Sequence, residues 1–157
     1  MKDEIQTVKK YLRSKGFKVT PQRESIVETI FATHAHFSAD DLFDMMREDG
    51  SQVSKATIYR TLSLLTEGGF LETLRIGEDQ KYYEHVLGHE HHDHLICLGC
   101  QKIVEFYDQK IEDRQELIIE KHGFVAVRHT HRIYGYCPEC QKQKPNEIVE
   151  THGAVGD

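Results

Sequence analysis

The chain has 157 residues, 38% of them hydrophobic and 29% charged, with a formal net charge of −6. Those values fit one soluble domain or two very small ones, and no apolar run approaches the ~20 residues that a membrane-spanning helix needs. The N-terminal MKDEIQTVKK has neither an apolar core nor a cleavage site, so no secretory signal is expected and the protein is read as cytoplasmic. In that compartment the four cysteines are expected to be metal ligands rather than disulfides. Net acidity argues mildly against a simple nucleic-acid binder, but the charge is uneven. Residues 1–23 carry seven basic and two acidic side chains, a net +5, which leaves −11 for the remainder. A basic edge facing phosphate and an acidic, metal-binding remainder would have that asymmetry.

In chain order, Glu4–Lys15 reads as a helix with Ile5, Val8 and Leu12 on one stripe, ended by Gly16. Thr20-Pro21 pairs an N-cap with proline at the first helical position, opening a helix through Ile26, Val27, Ile30 and Phe31. Thr33–Phe37 reads as a short link. Ser38 with Asp41 resembles a capping box for a third helix, Ala39–Glu48, closed by Gly50. Ser54 caps a fourth, Lys55–Glu67, with its apolar stripe at Ile58, Leu62 and Leu65. Ala56, Arg60 and Ser63 then point away from that stripe, with Tyr59 on its flank. Two strand-like runs, Phe70–Ile76 and Lys81–Val86, are joined by a turn at Gly77–Gln80. Short helices followed by a hairpin are the order of a winged helix-turn-helix, in which Lys55–Glu67 reads the major groove.

The stretch His89–Cys100, HEHHDHLICLGC, holds four histidines, two acids and a CxxC pair. Imidazole and carboxylate suit iron, manganese or zinc, while paired thiolates suit structural zinc. In an extended segment His92 and His94 face one side, His91 and Asp93 the other, so one loop divides between two sites. Candidates to complete those sites are Glu84, Glu105, Glu112, His36 and His129. After this loop Lys102–Phe106 reads as a strand, Asp108–His122 as a helix and Phe124–Tyr136 as a long strand with Val125, Val127, His129, His131 and Ile133 on one face. A free edge on that long strand would let a second copy pair with it. The last stretch, Gln141–Asp157, is polar and aperiodic and is expected to be a disordered tail.

Cys97-x-x-Cys100 and Cys137-x-x-Cys140 together offer the four thiolates that tetrahedral zinc takes. The 36 residues between the knuckles would hold a strand–helix–strand insert. A redox dithiol is the competing assignment, disfavoured by two paired knuckles and by the expectation that no helix starts directly after either. His89, His91, Asp93 and His94 also spell HxHxDH, as in binuclear metallohydrolases. That fold needs a large double-sheet sandwich, and fewer than 70 residues follow here.

From about Val8 to Cys140 the chain resembles the ferric uptake regulator family of metal-dependent bacterial repressors. The resemblance rests on GFKVTPQR at Gly16–Arg23, SKATIYRTL at Ser54–Leu62, HHDHLICLGC at His91–Cys100, KIVEF at Lys102–Phe106 and IYGYCPEC at Ile133–Cys140, in that order. It implies an α+β fold, with a winged helix-turn-helix over residues 1–87, a small α/β dimerisation and metal-binding domain over 88–140 and the tail at 141–157. It implies structural Zn2+ on Cys97, Cys100, Cys137 and Cys140, and a regulatory site between the domains made of His36, Glu84, His92, His94 and Glu105. It further implies an additional site of His91, Asp93, Glu112 and His129. HVLGHE before the histidine cluster is about one residue longer than in some relatives, so His85 or His89 could join or replace Glu84. On the DNA side it places Lys18 at the minor groove and Tyr59 and Arg60 at the major groove, and Arg23 joins them on the basic edge.

The expected function is a repressor that binds AT-rich inverted-repeat operator DNA as a homodimer, with a tetramer left open, once its regulatory site is loaded. Glutamate at positions 84 and 105 leans towards Fe2+, with Mn2+, Zn2+ or peroxide sensing as branches of the same family. A metal-storage or delivery protein is the alternative from another class. No enzyme activity and no membrane partner are expected.

Overall fold

A computed structural model describes residues 2–76, 80–88 and 91–143. The chain divides into two compact units, Met1–His89 and Glu90–Asp157. No helix among the described residues is long and apolar enough to cross a membrane.

The first unit begins with α1 (Lys2–Ser14), which buries Ile5, Val8 and Leu12 as its sequence stripe predicts. Gly16 ends it at φ +80°, where the Gly16 N–H reaches the Arg13 carbonyl and the Phe17 N–H reaches that of Leu12, each at 2.9 Å. A residue with a Cβ is strained at that φ, so the glycine sets the stop. Thr20 caps α2 (Pro21–Ala32) by accepting the Arg23 N–H, and a Lys9–Glu24 ion pair ties α2 to α1. Residues Phe37–Ser38 form β1, a two-residue strand at the junction of what the sequence reads as a link and a helix cap. Ser38 then caps α3 (Ala39–Glu48) with a complete capping box: its hydroxyl accepts the Asp41 N–H at 3.1 Å while Asp41 accepts the Ser38 N–H at 2.8 Å.

Helix α4 (Lys55–Glu67), capped by Ser54, buries Ile58, Thr61, Leu62 and Leu65. Thr61 is a polar residue on that face, and its hydroxyl is satisfied by donating to the Thr57 carbonyl at 2.8 Å. Strands β2 (Leu71–Ile76) and β3 (Gln80–His85) pair antiparallel and complete a sheet of order β1-β3-β2. Of the turn expected between them, Gly77–Asp79 lie outside the described residues. All these elements close on one core, in which Val8, Leu12, Ile26, Ile30, Leu42, Ile58, Leu62 and Leu65 have no exposed surface. Helices followed by a wing hairpin make this unit a winged helix-turn-helix.

The second unit is built on β4 (Asp93–Cys97), flanked antiparallel by β5 (Ile103–Phe106) and parallel by β6 (Arg132–Gly135), with α5 (Gln109–Lys121) between β5 and β6 in sequence. The long strand expected over Phe124–Tyr136 is confined to the four residues of β6. In a parallel pair, residues before Arg132 would need strand residues before His94 alongside, and the residues that pair with β6 begin at His94. The inward face expected for Val125 and Val127 is therefore absent, and they are 91% and 98% exposed. A short α6 (Pro138–Gln143) follows, so Gln141–Gln143, placed in the tail by the sequence reading, are helical. Residues 144–157 of that tail lie outside the described residues.

Candidate metal centres and nucleic-acid face

The four cysteines converge, with sulfurs all within 4.8 Å of one another. Cys97 ends β4 and Cys100 lies in the tight turn that follows, closed by the Gln101 N–H on the Cys97 carbonyl at 2.9 Å, with Gln101 at a left-handed φ of +62°. A Cβ on Gly99 would come within 2.9 Å of the Cys140 sulfur, so only glycine lets the two knuckles close on each other. The second knuckle does open a helix: α6 starts at Pro138 and contains Cys140, contrary to expectation. The redox assignment is still disfavoured by geometry, because four thiols are gathered rather than one pair.

Burial works against ionising Cys97, yet the N–H groups of Cys137, Cys100 and Gly99 turned towards its sulfur bring the thiol down to about 6. Cys140 is pushed up to about 12, first by desolvation and then by the sulfurs of Cys137, Cys100 and Cys97. The Cys97 thiol is thus pulled towards ionisation while Cys137 and Cys140 are pushed away from it, a conflict that a dication removes. The set fits zinc in number, softness and spacing.

In the first unit, Phe37 pairs with Tyr83 and Ser38 with Tyr82. That register sets His36 against Glu84, and His36 Nε2 lies 2.8 Å from Glu84 Oε2 with both side chains largely buried. His85, the alternative to Glu84, alternates to the core face of β3. It is 6% exposed, its ring lies tilted against that of Phe31 with centroids 4.9 Å apart, and its Nδ1 lies 3.3 Å from the Leu87 carbonyl. His89 lies outside the described residues.

In the second unit, His94 is the cross-strand partner of Glu105, and His92 Nε2 lies 3.9 Å from Glu105 Oε1. The His92 and His94 rings meet edge to face at 5.0 Å. On the other side of the same segment His91, Asp93, Glu112 and His129 bring their ligand atoms within 4.8 Å of one another. His129 Nε2 is 2.8 Å from His91 Nε2 and 3.2 Å from Glu112 Oε2, and His91 Nε2 is 3.4 Å from both Asp93 Oδ1 and Glu112 Oε1. Period two in one segment divides its donors between two clusters, as the alternation predicts. Asp93 is 1% exposed and its Oδ1 has no hydrogen-bond partner. A buried orphan carboxylate oxygen facing imidazoles fits a divalent cation. Sequence reasoning left His131 out of every ligand set, although its Nδ1 lies 3.3 Å from Asp93 Oδ2. Its place two residues after His129 was the available signal, obscured by reading the segment as a regular strand.

On α4, Tyr59 is half exposed and Arg60, Ser63 and Ala56 are exposed, opposite the buried stripe. Tyr59, Arg60 and Ser63 line a shallow groove of about 390 Å³ together with Phe17, Arg23 and Leu64. Lys18 is exposed beside it. Arg23 is already engaged, donating to the Lys18 carbonyl and lying 6.0 Å over the Phe17 ring, so it fixes the α1–α2 turn that presents Lys18.

The chain is similar to known proteins in sequence and in fold. The model of the "Ferric uptake regulator family" matches residues 14–134. A ferric uptake regulation protein of Campylobacter jejuni is 38% identical over 142 residues, which are 89% of this chain and 90% of that protein. Among solved structures, the Helicobacter pylori ferric uptake regulator Fur, described as having three functional metal binding sites, superposes with a TM-score of 0.77 at 30% identity, covering 89% of this chain and 93% of that one. The Francisella tularensis ferric uptake regulator, solved with iron, gives a TM-score of 0.68 at 37% identity over 80% and 96%.

Proposed function

Because the chain belongs to the ferric uptake regulator family, we propose that it is a ferrous-iron-responsive repressor whose signal is read by His36, Glu84, His92, His94 and Glu105. As a member of that family it is a metal-responsive transcriptional regulator and not an enzyme, which removes the HxHxDH hydrolase assignment. Family members are DNA-binding dimeric regulators. The observation that carries the iron reading is the donor set. His36 and Glu84 are already in contact in one unit, His92 and Glu105 face each other in the other, and both carboxylates are glutamates. Nitrogen and oxygen donors hold divalent iron with the moderate affinity that a sensor requires, whereas the four-cysteine set keeps its zinc. The iron bound by the Francisella relative points the same way.

A divalent cation at this site supplies positive charge that carboxylates and imidazoles from two units can share. In this proposal, ligands from both units would couple ion binding to the placement of α4, so the arrangement that holds the ion more tightly would gain population. By linkage, operator DNA raises metal affinity by the same factor. Tyr59 and Arg60 are the major-groove readers and Lys18 the minor-groove contact, on AT-rich inverted-repeat operators bound by a homodimer. The apolar strip of Leu117, Ile118, Phe124, Val125 and Val127 is the surface that a second copy would cover. The basic edge and the exposed Tyr59-Arg60 pair speak against a storage or delivery role.

The test is operator binding by zinc-loaded protein, titrated anaerobically with ferrous iron, manganese and added zinc. Activation at micromolar iron, reversed by chelation, is expected. His92→Ala combined with His94→Ala should weaken metal-activated binding at least ~10-fold, or ~1.4 kcal/mol, while leaving the dimer intact. Activation by trace zinc or by manganese alone would move the chain to another branch of the family.

A further inference from the structure

Asp93 opens β4 at the centre of the second cluster, and its two oxygens have different surroundings. Oδ1 faces His91 and has no hydrogen-bond partner, while Oδ2 lies 3.3 Å from Nδ1 of His131. We propose that His131 is a positioning residue for this cluster: its Nδ1–H donates to Asp93 Oδ2, fixes the carboxylate plane and leaves Oδ1 for a divalent cation shared with His91, Glu112 and His129. The inference rests on reading that cluster as a metal site.

Three features support the assignment. An ionised carboxylate only accepts, so the nitrogen facing Oδ2 must carry the proton. The imidazole is held in place, because the Phe106 ring meets it edge to face at 6.0 Å and the His131 carbonyl accepts the His94 N–H at 3.2 Å. His131 is also separate from the four donors that converge within 4.8 Å, so it acts on the cluster through Asp93. A carboxylate with both oxygens free can swing or bind through either one. One hydrogen bond to Oδ2 removes that freedom before a cation arrives, as outer partners of metal ligands commonly do.

The test uses the full-length, zinc-loaded chain carrying His92→Ala and His94→Ala, so that added cobalt(II) reports the Asp93 cluster through its absorption spectrum. Affinity and spectrum are compared for this parent, Glu112→Ala, His131→Leu and His131→Asn. His131→Leu should bind cobalt ~10- to 100-fold more weakly with a changed spectrum. His131→Asn, whose amide nitrogen takes the place of Nδ1, should restore most of the affinity. A His131→Leu protein that binds like the parent while Glu112→Ala does not would overturn the positioning role and leave the site standing. Unchanged binding in Glu112→Ala would instead remove the site itself. Should His131→Leu lose its zinc, His131→Asn is compared with His131→Gln, whose amide sits one bond further out, and equal affinities would refute the inference.

Discussion

In residues 1–89 the helices and wing close on side chains with no exposed surface, among them Leu12, Ile30, Leu42 and Leu62. In the second unit the described apolar side chains that are buried are Ile96 and Cys97, and α5 buries none of its residues. The DNA-reading unit is stabilised in the ordinary way, by apolar burial worth roughly 1.5–3 kcal/mol per large side chain. The second unit is too small to close a core of its own, and in the proposed scheme zinc on the four thiolates and a second copy over its exposed apolar side chains would supply what it lacks. Stability of the first unit should therefore be indifferent to the zinc on the four cysteines, and stability of the second should depend on it.

The largest effect is expected from Cys97→Ser. Structural zinc is worth on the order of 10 kcal/mol of folding free energy in small domains, so hydrogen exchange should show amides of β4, β5 and β6 losing protection. The dimer should dissociate, while amides of α2 and α4 stay protected. A stable mutant dimer without zinc would erase the contrast between the units. Leu62→Ala reverses the experiment. Truncating this buried side chain should cost about 2–5 kcal/mol and lower the unfolding temperature of the first unit, with the zinc content of the second unchanged. The smallest effect is expected from Ser38→Ala, which deletes the capping box of α3 and should cost ~1 kcal/mol. That loss should appear in the same first-unit transition and leave cobalt binding by the Asp93 cluster untouched.

Legibility in sequence follows the same division. Helix α4 was readable to its ends because cap, apolar stripe and terminal glycine all act within one element. The split of His91 and Asp93 from His92 and His94 was readable because strand alternation is local. His36 and Glu84 share a ligand set through family resemblance and not through pattern, since the register that brings them into contact comes from β1, two residues long and below any periodicity. The run Phe124–His131 misled for the opposite reason. Its alternation is real, but a strand exists only beside a partner, and β6 meets β4 only from Arg132 onwards. His131 joins no ligand set in the sequence, because family resemblance supplies the pairing of His91 with His129 across 38 positions and supplies none for His131 with Asp93 across the same span.

Strand β4 carries Asp93 on one face, His94 on the other and Cys97 at its end. Four steps of extended chain separate Asp93 from Cys97, or ~13 Å. A zinc ion on four thiolates would have its charge more than offset by its own ligands, so at one end of this strand it would not repel a cation arriving at the other. The zinc could then stay permanently in place without setting the threshold at which the other cation arrives.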